Sequence, residues 1–460
     1  MHFIKRLREG HPAKALGVAL LLAPSGVLVS CSSTDEHDMP APDASTDSSV
    51  GSSADAADAS PPSRDAGPVD AAPLPIVCAS APCATALVTT IGGYYLGDEG
   101  QGFCALLQDR TVACWGANAS GQLGRGDEGR AIAGSSTAAR VVGLEKVVAL
   151  DHTCAVDELG ATWCWGTGPF LRQGPEGESW TTEHDAVKLE LPPATRVGFG
   201  GLVACVATSE GVLCWGYNDQ AQIGPFETTP RYAWYPPRKI DLPSGPPIRQ
   251  IAIGDATLIV REDGTILSWG ANPPLGRISS LSPDPYASSL TIGGIFAVDI
   301  AHDNACATTG GIGYCWGGAL PGASDSLNRA HPVDKLGRAY PKAIVTPEPI
   351  VEVATTRTVS QSSDPPIPYR WCAVAVSGKV YCWGFNDSGQ AGDGTKDFAY
   401  DAVPVVGLPE RAVSVRTTPS TTCALLTNGK IYCWGSNYDG QLGNRKTRGM
   451  ALVPEEVVLP

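Results

Sequence analysis

Cysteine is the residue with the most chemistry to offer in this chain of 460 residues. There are 15 cysteines, and most of them fall into pairs: Cys104 with Cys114, Cys154 with Cys164, Cys205 with Cys214, Cys306 with Cys315, Cys372 with Cys382 and Cys423 with Cys433. A separation of nine or ten residues across a hairpin sets the two side chains on adjacent strands, facing the same side, where a disulfide can form. One further place in the pattern carries Leu258 and Ser268, so both cysteines are missing together. A bridge explains that joint loss better than independent thiols do. The alternative is a row of small buried hydrophobes. Each bridge would close a loop of about eleven residues, which in the chain-entropy model contributes roughly 2.7 kcal/mol. Cys78 and Cys83 form one more short-range pair. No metal site is expected, because Cys-x-x-Cys spacing is missing and the chain has 7 histidines.

Other reactive types give weaker patterns. His152 and His302 precede a cysteine strand at matching places, which predicts a structural hydrogen bond within the blade and not catalysis. The stretch Gly121-Gln122-Leu123-Gly124-Arg125-Gly126 lies between strands and not before a helix, so it is no phosphate cradle. No serine nucleophile elbow, carboxylate pair or calcium loop stands out, so no catalytic residue and no cofactor is expected. Residues suited to binding stand out more clearly. Phe226, Arg231, Tyr232, Trp234 and Tyr235 crowd one irregular loop, and Tyr369 and Trp371 end another that begins at Thr358. Tyr, Trp and Arg often carry interface energy; the alternative is loops folded onto their own blades.

These residues are positioned by a repeat. Cys-Trp-Gly ends at Gly116, Gly166, Gly216, Gly317, Gly384 and Gly435, with Ser268-Trp269-Gly270 as an altered copy. Successive tryptophans are 50, 50, 54, 47, 67 and 51 residues apart, a period that marks a repeat architecture. Each unit reads as four short strands. In the second unit Lys146 to Leu150 leads into Thr153 to Val156, a turn follows at Glu158-Leu159-Gly160, and the third strand carries the triplet. Val112, Ala113, Cys114 and Trp115 are apolar on both faces of their strand, as a sheet packed between two others requires. The expected fold is an all-β, seven-bladed propeller of four-stranded antiparallel blades. The first unit starts near Ala86 without a preceding apolar run, and residues 454–459 supply one, so the C-terminal strand is expected to complete the first blade and close the ring.

Asn118-Ala119-Ser120-Gly121-Gln122-Leu123-Gly124 follows the triplet, as do the similar runs that begin at Asn386 and Asn437. From about residue 86 to the C-terminus the sequence resembles the regulator of chromosome condensation repeat family. The resemblance implies a seven-bladed propeller. It also implies binding through rim loops, as in a secreted β-lactamase inhibitor propeller, or guanine-nucleotide exchange, as in the nuclear member.

The N-terminus bears on location. Lys5, Arg6, Arg8 and Lys14 precede an apolar stretch from Ala15 to Val29, too short to span a membrane. Leu28-Val29-Ser30-Cys31 resembles the bacterial lipobox, which implies a signal peptide over 1–30 and lipidation of Cys31, the alternative being a simple secretory peptide. Residues 31–75, rich in Asp, Ala, Ser and Pro, read as a disordered tether before the propeller at 86–460. A net charge of −14 argues against nucleic acid. The expectation is a monomeric binding module, not an enzyme, anchored to the membrane by lipid alone, with the outer membrane or cell surface favoured. Its partner is an unidentified protein or envelope component. Nucleotide exchange on a small GTPase and turnover of envelope polysaccharide or peptide are the rival readings. Intact-mass analysis of the unreduced chain from its native host should find the paired cysteines inert to alkylation and acyl chains on Cys31. Alkylation of those pairs before reduction would end the disulfide reading, and an unmodified Cys31 would end the anchor.

Overall fold

Each apolar repeat becomes a twisted four-stranded sheet, and the seven sheets follow one another in strict chain order. A computed structural model describes residues 72–92, 102–129, 132–172, 180–318, 339–356 and 370–460. The inner strands, which line the axis, are Ala84–Thr89, Val147–Asp151, Ala194–Phe199, Ile248–Ile253, Ala297–Ala301, Ile350–Thr355 and Ala412–Thr417. Every third strand carries the triplet, from Val112–Ala117 in blade 1 to Ile431–Ser436 in blade 7. Because the strands alternate in direction, the inner-to-second and third-to-outer connections share one face of the ring, here the loop face. The second-to-third turns lie on the opposite face.

The triplet is the joint between blades. Neighbouring residues on a strand point to opposite faces, so the cysteines face the next blade and the tryptophan faces the previous one. Trp165 packs in one cluster with Cys104 and Cys114, Trp215 with Cys154 and Cys164, and Trp269 with Cys205 and Cys214. Trp434 meets Cys372 and Cys382, while Trp115 meets Cys423 and Cys433. In blade 4, where the cysteines are missing, Trp316 rests on Leu258, Val260 and Ile266 instead. The indoles of Trp115, Trp165, Trp215, Trp269, Trp316 and Trp434 also donate across the joint. Trp165 Nε1 lies 3.0 Å from Gln122 O, Trp215 Nε1 2.6 Å from Pro169 O and Trp269 Nε1 2.9 Å from Gln222 O. Glycine is required next because the third strand bulges against the outer strand between Cys114 and Gly116, and at the matching place in other blades. Gly216 has φ 119°, and a Cβ there would strike the Leu202 carbonyl.

All six repeat pairs are disulfide-bonded, with Cα atoms 4.0–4.1 Å apart, and so are Cys78 and Cys83, with Cα atoms 5.8 Å apart. The six lie on directly opposed residues of neighbouring strands, as Cys104 opposite Cys114.

Ring closure corrects the expectation from sequence. The final strand, Met450–Glu456, pairs with Ile431–Ser436 and is the outer strand of blade 7. Blade 1 needs no borrowed strand, since Ala84–Thr89 is its own inner strand and buries Leu87 and Val88. Closure runs side to side through the same joint as elsewhere: Trp115 Nε1 donates to Gln441 O at 3.0 Å. The segment before blade 1 then crosses the seam. Leu74 and Ile76, at the end of the expected tether, pack on the cluster shared by blades 1 and 7, and Val77 N–H donates to Thr427 O at 2.7 Å.

Trp115→Phe keeps most of the apolar contact but leaves Gln441 O buried without its donor. The expected loss is about 1–3 kcal/mol in urea unfolding, matched by Trp165→Phe at an internal joint. An unchanged midpoint for Trp115→Phe would show that the seam is held by something else.

Candidate binding face

The repeat loops on the loop face hold themselves together. Asn118 Oδ1 accepts from Leu123 N–H at 2.9 Å, and its Nδ2 donates to Gly129 O and Ile132 O at 3.0 Å. Asn218, Asn386 and Asn437 accept in the same way from Ile223, Ala391 and Leu442. Gln122 and Gln441 each accept the backbone N–H two residues before them at 2.8 Å. All of these Asn and Gln side chains are buried. The motif residues are therefore scaffold, and recognition falls to the residues between them.

In blade 3 the loop carries an aromatic cluster. The Arg231 guanidinium lies 4.7 Å over the Tyr232 ring and 5.4 Å over Phe226. Trp234 packs at 5.0 Å from Tyr217 and 5.5 Å from Trp180 of blade 2. Tyr235 lies under Arg238 at 4.7 Å and donates its hydroxyl to Pro230 O at 3.1 Å. The structure thus gathers Phe226, Arg231, Tyr232, Trp234 and Tyr235 and adds Tyr217 and Trp180. Tyr217 follows its triplet directly, a signal available in the sequence, whereas Trp180 joins only through the neighbouring blade. Tyr232 is 63% exposed.

The second predicted loop fares differently. Trp371 is a correction: it is 3% exposed, packed with Trp383 and Ile350 between blades, because it opposes Trp383 across a strand pair. Cys31, Tyr369 and the rest of that loop lie outside the described residues. Arg370 beside it is also buried, its guanidinium pushed down to about 9 by burial, and donates to Gln390 O at 2.8 Å. Exposed tyrosines elsewhere follow a rule that no motif showed. Tyr232, Tyr286, Tyr340, Tyr400 and Tyr438 are the exposed tyrosines among the described residues. Tyr232, Tyr340 and Tyr438 lie in third-to-outer connections, while Tyr286 and Tyr400 lie in the first half of the outer strands Asp284–Ser289 and Ala399–Pro404, so all five lie toward the loop-face end of their blades.

Along the axis, polar side chains of the inner strands tie each blade to the next. Asp151 Oδ2 accepts from Phe199 N–H, Asp299 Oδ2 from Thr355 N–H and Glu352 Oε2 from Val415 N–H, each at 2.8 Å. Arg416 Nη1 meets Glu352 Oε1 at 2.6 Å. Burial in the channel wall pushes the Asp151 and Asp299 carboxyls up, with Arg416 acting against it on both. The histidines also correct an expectation, since their bonds run between blades and not within one. His152 Nδ1 lies 2.9 Å from Thr89 O of blade 1, and His302 Nδ1 lies 3.2 Å from Asp255 Oδ1 of blade 4.

Models of the regulator of chromosome condensation (RCC1) repeat match residues 413–441 and 428–460, which include the last triplet and the loop built on Asn437. The last blade matches the regulator of chromosome condensation repeat. Similar proteins align with most of this chain. The ultraviolet-B receptor UVR8 of Arabidopsis thaliana is 27% identical over 74% of this chain and 76% of its own length. The human E3 ubiquitin-protein ligase HERC2 is 28% identical over 74% of this chain but only 7% of its own. Yeast RCC1 (Prp20), solved bound to Kap60, superposes with TM-score 0.58 at 18% identity, covering 76% of this chain and 83% of that one. At that identity the likeness speaks for the repeat's fold alone.

Asp299→Asn tests the channel electrostatics. The folded carboxyl sits above its unfolded value, so ionised Asp299 costs stability at neutral pH, and that cost fades as pH falls through the raised value. The stability of Asp299→Asn relative to wild type, from urea unfolding between pH 4 and 7, should be most favourable at pH 7 and decline toward pH 4. A difference independent of pH would refute the raised carboxyl.

Proposed function

We propose that this propeller is a binding module that recognises a protein or envelope ligand through its loop face. The observation that carries the reading is the placement of the five exposed tyrosines in the third-to-outer connections or the first half of the outer strands, toward that face. Tyrosine offers large contact area at low entropic cost together with a polar tip. The Arg231 aromatic cluster adds the other side-chain types that dominate interface energy. Seven disulfides point to an extracellular or oxidising compartment. That setting supports export by residues 1–30, with lipidated Cys31 and the acidic tether of 31–75 holding a monomeric propeller near an envelope membrane. It also counts against nucleotide exchange on a cytosolic GTPase.

Names of similar proteins fit a regulatory or binding role: one is a receptor, and another was solved in complex with a protein. Nothing in the channel or the loops favours polysaccharide or peptide turnover over binding. The test is capture by the full chain from envelope extract, with Tyr232→Ala, Trp234→Ala and Tyr438→Ala compared against Leu159→Ala on the opposite face. At least one loop-face change should weaken a captured partner by about thirtyfold, the scale of an interface hot spot, with Leu159→Ala neutral. Capture unaffected by all three loop-face changes would reject this face.

A further inference from the structure

A funnel opens on the loop face around the propeller axis, with about 1090 Å³ of empty space including its mouth. All seven blades contribute to its wall, and the charge on that wall is lopsided. Asp219, Asp255 and Asp299, from blades 3 to 5, stand along one arc, and Thr355, Thr417 and Thr418 from blades 6 and 7 line the other. Arg416 is the one Lys or Arg among the described lining residues, and Glu352 already holds it; His152 and His302 line the wall too, and His302 Nδ1 meets one Asp255 oxygen, Oδ1, at 3.2 Å. Asp299 and Arg416 also border the cavity that enters from the opposite face, so they mark the waist of the channel.

Two further observations point to a ligand. Thr355 is 3% exposed and lines the funnel, yet its hydroxyl has no hydrogen-bond partner among the described residues. Asp219 takes a long bond of 3.4 Å from Gln220 Nε2, while burial and the nearby Asp255 charge push its carboxyl up. A cation entering the funnel would offset both. Among the described residues no three His, Cys, Asp or Glu side chains are grouped to hold a metal ion.

We propose that the funnel binds an organic cation, an alkylammonium or guanidinium group entering along the axis, with Asp219 and Asp255 as counter-ions and Asp299 at the floor. The site borders the aromatic cluster, since Arg231 Nε donates to Asp219 O at 2.9 Å, but its test reads cation binding directly and does not depend on the capture experiment.

Isothermal titration of the full chain would use agmatine as a free cation, an end-capped Gly-Gly-Arg-Gly-Gly peptide as a protein side chain, and glutarate as an anion of similar length. Agmatine is expected to saturate and glutarate is not. Binding should weaken as sodium chloride rises and fall about tenfold in each of Asp219→Asn and Asp255→Asn, the scale of one charged hydrogen bond. Binding of agmatine alone assigns the funnel to a free amine, and binding of the peptide as well assigns it to a partner's side chain. No heat from either cation, equal binding of glutarate, or indifference of the wild-type affinity to salt would overturn the site. The salt series needs no variant, so a substitution that disturbs folding leaves it decisive.

Discussion

The structure depends on a tryptophan that belongs to one blade and is satisfied by another. An indole buried between sheets needs a partner for its N–H, since an orphaned donor costs about 1–3 kcal/mol. The partner lies in the preceding blade, as Gln122 O does for Trp165. The ring itself lies on the preceding blade's disulfide, or on Leu258 where that disulfide is missing. No blade can meet this requirement alone, because donor and acceptor lie about one repeat apart in sequence. Around a circle the requirement has one consistent solution: the first tryptophan must find the last loop, and Trp115 reaching Gln441 O is that solution.

The same constraint explains why the repeat motif carries little functional information. Asn, Gln and Gly after the triplet shape the loop that presents the acceptor carbonyl. Gln390 O accepts from Trp434 Nε1, and the Gln390 side chain holds its own loop. Residues committed in this way are buried and have no capacity left for a partner. Positions between them are released from the scaffold, and there the exposed tyrosines and the Arg231 cluster gather.

Inner strands carry a second system of restraint. Seven inner strands surround the axis, and the polar groups buried among the apolar ones on its wall must be satisfied there. Carboxylates do this by accepting backbone N–H groups from the next inner strand, as Asp151 does from Phe199. Burial raises the proton affinity of Asp151 and Asp299, and these hydrogen bonds act against it.

By itself the sequence determined the period, the blade count, the four-strand order and the pairing of cysteines. All of these are local: nine or ten residues span a hairpin, and alternation along a strand fixes which neighbours share a face. The crowding of Phe226 to Tyr235 was legible for the same reason. Tertiary structure decided whatever depends on residues one or more repeats apart. It placed the closing contact at a side-to-side joint, buried Trp371 against Trp383, and turned His152 and His302 toward neighbouring blades. It also brought Asp219, Asp255 and Asp299 around one axis, although they come from three different repeats. A repeat sequence states what each blade offers. Which offers meet is set by the rotation that stacks the blades, and that rotation is a property of the packed ring.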